Sequence, residues 1–200
     1  MTTASIRLSS RPLSFFASAR ALLTFAALLA CGALLTPSLA AASGHVVWEA
    51  GLGHHGQTAS KFLLTSAGIF FFFGLLFGAW KYVCIARSAE AQAPTYVDIA
   101  HRAALLYSFA CALMAQISGA SAWSNAVNLA AAVVLVLYFA AAVFSYAVHG
   151  ALRDTDNQLK HPHQLGKRTI SSVVMRAFLI SLIVAEVGAF LVIFSGYLAA

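Results

Sequence analysis

Apolar residues in this chain do not alternate with polar ones; they run on unbroken. Four stretches stand out, Phe62–Trp80, Ala103 to about Trp123, Ala126–Val148 and Val173–Tyr197. Each approaches the roughly 20 residues needed to cross about 30 Å of hydrocarbon. Backbone N–H and C=O groups have no water to bond there, so each run predicts a helix. The first run carries Phe70-Phe71-Phe72-Phe73 at its centre and the pair Gly74 and Gly78, a small-residue face for close helix approach. The turn Ser121–Asn125 is too short for anything but an antiparallel return. The expected fold is all-α, an integral membrane four-helix up-down bundle.

A fifth apolar stretch precedes these. Residues 1–20 hold Arg7, Arg11 and Arg20 and no acid; Ala21–Thr36 is apolar, Pro37 breaks it, and Ser38-Leu39-Ala40 ends in small residues. A basic region, a short apolar core and a small-residue site, in that order, predict a signal peptide over 1–40. The alternative is an uncleaved span over about 21–42. A periplasmic lead-in over 41–60 then precedes the transmembrane domain, 61–200. His45, His54 and His55 in that lead-in are candidate copper or zinc donors, but adjacent His54 and His55 point apart on any regular element.

Composition agrees with the pattern. The chain is 61% hydrophobic and 9% charged, against about 25% charged in a soluble domain. Its formal net charge of +6 does not indicate nucleic acid, because the bases sit between apolar runs and not among stacking aromatics. Lys81, Arg87 and Arg102 fall in the stretch 81–102, and Arg153, Lys160, Lys167 and Arg168 in 149–172, whereas Ser121–Asn125 is uncharged. Positive loops stay cytoplasmic, so the expected setting is a bacterial inner membrane with the mature N-terminus and the C-terminus both periplasmic. Cys31, Cys84 and Cys111 form no CxxC and indicate neither zinc nor a disulfide framework. Leu28-Leu29-Ala30-Cys31 is a loose lipobox whose apolar run continues past the cysteine.

Polar groups inside the spans carry the candidate chemistry, since each is costly in hydrocarbon unless satisfied. Glu186 lies about ten residues beyond Arg176, roughly 15 Å along a helix, and is expected to be a neutral, hydrogen-bonded acid. Its candidate partners are Tyr138, Ser108 and Tyr107. It is read either as a proton or substrate group or as a polar staple between helices. Pro94-Thr95-Tyr96-Val97-Asp98 reads as a helix start with Thr95 as N-cap. His101 follows Asp98 by about one turn, so Asp98 could hold its ring. His149 follows Tyr146 in the third span, and antiparallel spans bring His101 and His149 to one membrane level. Two imidazoles there could ligate one haem iron, or one alone could; the plain alternative is a pair of interfacial histidines. Asp154 and Asp156 resemble the opening of a calcium loop, but the glycine and closing glutamate are missing, and a folded turn capped by Asn157 is expected instead. No P-loop, dinucleotide fingerprint or GxSxG element occurs.

Ala100-His101 at the head of the second span, the interval from His101 to Tyr146, the Asn157-Gln158 pair and the closing apolar helix together resemble the styrene oxide isomerase group. The resemblance covers about residues 60–200. It implies a four-helix membrane protein in which His101 is the axial ligand of haem b and Tyr146 contacts the substrate, an epoxide activated by the iron as Lewis acid. Tyr107 stands where that group places a polar, substrate-contacting asparagine. The charged loops imply the opposite orientation to that expected of the group.

The leading expectation is therefore a haem b protein with His101, His149 and Asp98 at the cofactor and Tyr107 and Tyr146 at the substrate. It would act as an isomerase on an apolar oxygenated compound, or transfer electrons if His149 completes the coordination. The rival is a non-enzymatic accessory or structural subunit of a larger membrane complex. A transporter centred on Glu186 is weaker, because no second ionisable group is expected at its depth. Besides the lipid bilayer, the expected partners are further copies of the chain or other subunits. The signal reading has its own test: cleavage after Ala40 leaves a mature chain beginning near Ala41 or Ser43. Intact mass of the purified protein checks this, and retention of residues 1–40 would make the segment a span.

Overall fold

The computed structural model describes residues 57–200, with the side chain of Gln57 excepted. The signal segment with Cys31, and His45, His54 and His55 of the lead-in, lie outside the described residues. Four long helices make up the fold: α1 (Gln57–Arg87), α2 (Thr95–Gly119), α3 (Asn125–Leu152) and α4 (Ser172–Leu198). They contain 31, 25, 28 and 27 residues. At 1.5 Å per residue each exceeds the roughly 30 Å hydrocarbon thickness. All four are long and apolar enough to cross a membrane, and the chain is a polytopic membrane protein. A two-strand hairpin, β1 (Gln164–Leu165) and β2 (Arg168–Thr169), folds the last connection; Gly166, at φ +61°, occupies the turn position that needs a left-handed backbone.

The helices pack in chain order as an up-down bundle, α1 most extensively on α2, then α2 on α3 and α3 on α4. Leu63, Phe70, Cys111, Leu135, Val143 and Ile193 are among the side chains that close the core. Tyr107 stacks on Phe139 with centroids 4.0 Å apart, and Phe70 meets the same ring edge-on at 6.5 Å. Phe71 and Phe72, one and two positions on, are exposed; a helical repeat turns one phenylalanine inward and its neighbours to lipid.

The seam between α1 and α2 is closed over two glycines. A Cβ added to Gly74 would come within 2.5 Å of Leu105, and one at Gly78 within 2.9 Å of the His101 ring. Two polar side chains of α2 bond to α1 carbonyls across the seam, His101 Nδ1 to Gly74 O and Ser108 Oγ to Ala67 O, each at 2.8 Å. Both obey one antiparallel register: two helical turns onward in α2 correspond to two turns back in α1. The small-residue face read from the sequence is thus the face that meets α2.

Helix ends depart from expectation. The lead-in was expected to reach residue 60, yet α1 begins at Gln57. It also runs on to Arg87, so most of the stretch 81–102 is helix and the true connection is short. Lys81, on α1, and Arg102, on α2, are drawn together by Asp98, at 2.5 and 2.7 Å. Pro94 is the N-cap of α2 in place of Thr95, and no side chain caps that end. At the opposite end of the bundle Ser124 caps α3, its Oγ accepting from Val127 N at 3.4 Å. There the α2–α3 turn grips α4: Ala122 N donates to Gly196 O at 2.9 Å, and Trp123 Nε1 to Ser195 Oγ at 3.2 Å.

Gly150 of α3 touches the start of α2 so closely that a Cβ would lie 3.0 Å from the Val97 backbone nitrogen and 3.2 Å from Trp80. Backbone cannot step aside as a side chain can. Gly150→Val should therefore destabilise by about 1–3 kcal/mol, the usual cost of overpacking. Gly68→Ala, with nothing within 4 Å of the new Cβ, should cost nothing. Thermal unfolding of the two variants in one neutral detergent checks the contrast, and equal midpoints would contradict the packing described.

Candidate functional site

His101 is half-buried in the α1–α2 seam, where the absent side chains of Gly74 and Gly78 leave room for its ring. The Gly74 carbonyl can only accept, so the 2.8 Å contact requires the proton on Nδ1. Nε2 is then the nitrogen with the lone pair. This is the tautomer a metal ligand needs, with its far nitrogen held by a carbonyl.

Asp98 does not hold that ring. Its two carboxylate oxygens are taken by Lys81 and Arg102, because two full charges within reach outcompete a neutral imidazole. The holding role assigned to Asp98 falls to Gly74. The pairing of His101 with His149 is also not what the helices arrange. His149 is 3% exposed; its Nδ1 donates to Asp154 Oδ1 at 2.8 Å and its ring lies 5.1 Å from that of Tyr96. Tyr96 and His101 are five positions apart on α2, about 140° around the helix, so the two imidazoles lie against different faces of it.

Around His149 the structure builds a network that the sequence reading missed. Arg153, the C-cap of α3, takes a left-handed conformation (φ 50°, ψ 38°) and returns the chain so that Asp154 reaches His149. Asp154 Oδ2 accepts from Gly166 N in the hairpin turn. Tyr96 Oη accepts from Gln158 N at 2.6 Å, and Tyr96 stacks on Tyr146 at 6.1 Å. Tyr146 is therefore one wall of an aromatic and polar cluster at the end of the bundle. Asn157 makes the expected turn, its Oδ1 accepting from Leu159 N at 2.9 Å.

Glu186 lies in the middle of α4, on a cleft of about 260 Å³ whose walls include Ala110, Met114, Leu135, Phe139 and Val187. Its Oε1 is buried without a hydrogen-bond partner. The candidates Ser108, Tyr107 and Tyr138 do not supply one; Ser108 is committed to Ala67 O. Of the expected substrate residues, Tyr107 stacks on Phe139, a wall of this cleft, whereas Tyr146 stacks on Tyr96 at the end of the bundle. Among the described residues no group of three His, Cys, Asp or Glu side chains could hold a metal ion, so the haem reading rests on a single axial ligand.

His101 is held in one tautomer, its ring occupying the space that Gly74 and Gly78 leave. His149, tied to Asp154 and laid against Tyr96, fits a structural part better. Comparison with protein-family models, with curated proteins and with solved structures finds no match to the chain.

The His149–Asp154–Gly166 network carries a pH signature. Burial pushes the Asp154 carboxyl up, but the bonds from Gly166 N–H and His149, with the charge of the imidazole, outweigh it and hold the group below its ordinary 3.8. A depressed folded value means that the stabilisation is fully present above the ordinary carboxylate range and is lost as pH falls through the folded value. The protection factor of the Gly166 amide, its exchange rate corrected for the intrinsic pH dependence, should therefore fall on acidification in the wild type. Asp154→Asn should exchange faster at neutral pH and show no such acid step; an unchanged step in that variant would contradict the assignment.

Proposed function

We propose that this membrane protein binds haem b through His101 Nε2. The observation that carries the reading is the Nδ1–H bond to the Gly74 carbonyl, which presents Nε2 as the free lone pair and fixes the plane of the ring. The resemblance to the styrene oxide isomerase group points to the same residue. Bound there with one protein ligand, the iron would supply a Lewis acid for an oxygen atom of an apolar substrate. The rest of the chemistry falls to side chains. Tyr107, stacked flat on Phe139, and Tyr146 offer phenolic hydroxyls, and Glu186 offers a carboxyl oxygen with no competing bond. Any of these can donate or receive one proton as an oxygenated compound rearranges. Electron transfer is the weaker version, because His149 already has its partners.

The proposed setting is a bacterial inner membrane. Arg153, Lys160, Lys167 and Arg168 would lie on the cytoplasmic side with the α1–α2 connection, and both termini outside.

A second reading is favoured by α4. Val184, Val187 and Leu191 are exposed along its length, and Glu186 Oε1 lacks a donor. A partner helix, from another copy or another subunit, would cover that face and supply the missing hydrogen bond, as in an accessory subunit of a larger assembly.

One spectrum separates the readings. Protein purified from haem-replete cells should show a Soret band that His101→Ala abolishes and that added imidazole restores. His149→Ala and Asp98→Asn should keep it. Wild-type protein without haem, or His101→Ala with as much as wild type, would overturn the haem proposal and leave the accessory subunit.

A further inference from the structure

The connection between α3 and α4 contains His161-Pro162-His163, and the hairpin that follows returns the chain to it. Proline biases the residue before it towards extended backbone, and in extended chain alternate side chains share a side. The rings of His161 and His163 accordingly lie together, with centroids 4.3 Å apart. The hairpin closes where Ile170 N bonds to His163 O at 2.8 Å, which delivers the start of α4 beside the same two residues. Ser171 caps that helix, its Oγ accepting from Val173 N at 3.3 Å, and Met175 N bonds to Ser171 O at 3.0 Å in the first turn. Val173 and Val174 are exposed, whereas Met175 is buried. A cavity of about 160 Å³ has His161, His163 and Met175 among its walls.

Three donor side chains thus meet from two pieces of chain. His163 is 6% exposed, and its Nδ1 lies 3.0 Å from Gln158 O. A carbonyl can only accept, so the proton is on Nδ1 and the lone pair on Nε2. An imidazole held through one nitrogen, with the other unprotonated, has the state a metal ligand needs. His161 is exposed, so its ring can turn to bring a second nitrogen to the same ion. The third donor is a thioether, soft and uncharged.

Softness and charge choose the ion. Thioether and imidazole donors suit copper, and the thioether favours Cu(I) in particular over hard, oxygen-seeking cations. The surrounding charge argues the same way. Arg176 stands in the cavity wall, and the connection carries Arg153, Lys160, Lys167 and Arg168 against Asp154 and Asp156. A positive field penalises a divalent ion about twice as heavily as a monovalent one. No carboxylate or thiol lines the cavity to offset that penalty for zinc. Arg176 is itself exposed, and its long stem can carry the guanidinium out to water. We infer that His161, His163 and Met175 form a binding site for a single Cu(I) ion.

The test titrates Cu(I) anaerobically into the full chain in a neutral detergent, against a chromophoric Cu(I) chelator. His45→Gln, His54→Gln and His55→Gln are present throughout, so that copper held by the lead-in is not counted. This parent protein should take up one Cu(I) per chain. His161→Gln, at an exposed position with little folding risk, should weaken binding at least about tenfold, the loss that even an outer partner of a metal site causes. Met175→Leu, a change that cores tolerate well, should weaken it as far and remove the sulfur neighbour from the X-ray absorption spectrum of the bound copper. Arg176→Gln should bind as tightly as the parent or more tightly. Zn(II) in excess should fail to displace the copper. Absence of Cu(I) uptake, parent-like affinity in both His161→Gln and Met175→Leu, a copper shell without sulfur in the parent, or displacement by Zn(II) would overturn the proposal. So would a loss in Arg176→Gln as large as that in His161→Gln.

Discussion

Everything in this bundle is hung on the register between α1 and α2. In hydrocarbon there is no hydrophobic drive to bring two helices together, so close packing and interhelical hydrogen bonds must do it. Gly74 and Gly78 permit the approach, and His101 and Ser108 fasten it at two points in one register. The same contact that positions the helices also fixes a side chain: an imidazole wedged into a glycine gap has one orientation and one tautomer. A shift of one residue along the seam would remove both bonds and turn His101 out of the gap.

How much of this could be read from the sequence depended on the range of the interaction. The four spans were legible because length and apolarity alone demand them, and the helix face of Gly74 and Gly78 because a four-residue spacing stacks both on one side. His101 was singled out as the polar residue of interest, but its hydrogen-bond partner, the Gly74 carbonyl, was not foreseen. Asp98 is nearer in sequence, and nothing local reveals that Lys81 and Arg102 will occupy it. The helix ends were misjudged for a related reason: Lys81 and Arg102 read as loop charges, yet a helix leaving hydrocarbon gains by continuing while its charges find a partner.

The cluster at His149 was illegible for a sharper reason. Its geometry depends on Arg153 adopting a left-handed backbone, a conformation usually signalled by glycine or asparagine. No such residue marks the place. Asp154 and Asp156 therefore looked like the opening of a metal loop, when Asp154 is spent on His149 and on the hairpin turn. Tyr96, a residue the sequence offered only as part of a helix start, closes the cluster by accepting from Gln158 and stacking on Tyr146.

The fourth helix completes the logic of the fold by being held unlike the others. α1, α2 and α3 share the core along their lengths, whereas α4 is fastened mainly at its ends. At one end the Trp123 turn grips Ser195 and Gly196; toward the other, Met175 is buried beside His161 and His163. Between these two ties only Ala189 and Ile193 are well buried near its middle, and the cleft with Glu186 opens there. Where that cleft opens, the acid stands without a hydrogen-bond partner. Its carboxyl contributes nothing to holding the bundle as drawn, so the burial of Oε1 is a cost that other contacts offset. The seam of α1 and α2 and the cleft beside α4 are thus built in opposite ways: the first is closed by glycines and two hydrogen bonds, the second leaves a carboxyl oxygen buried and unbonded.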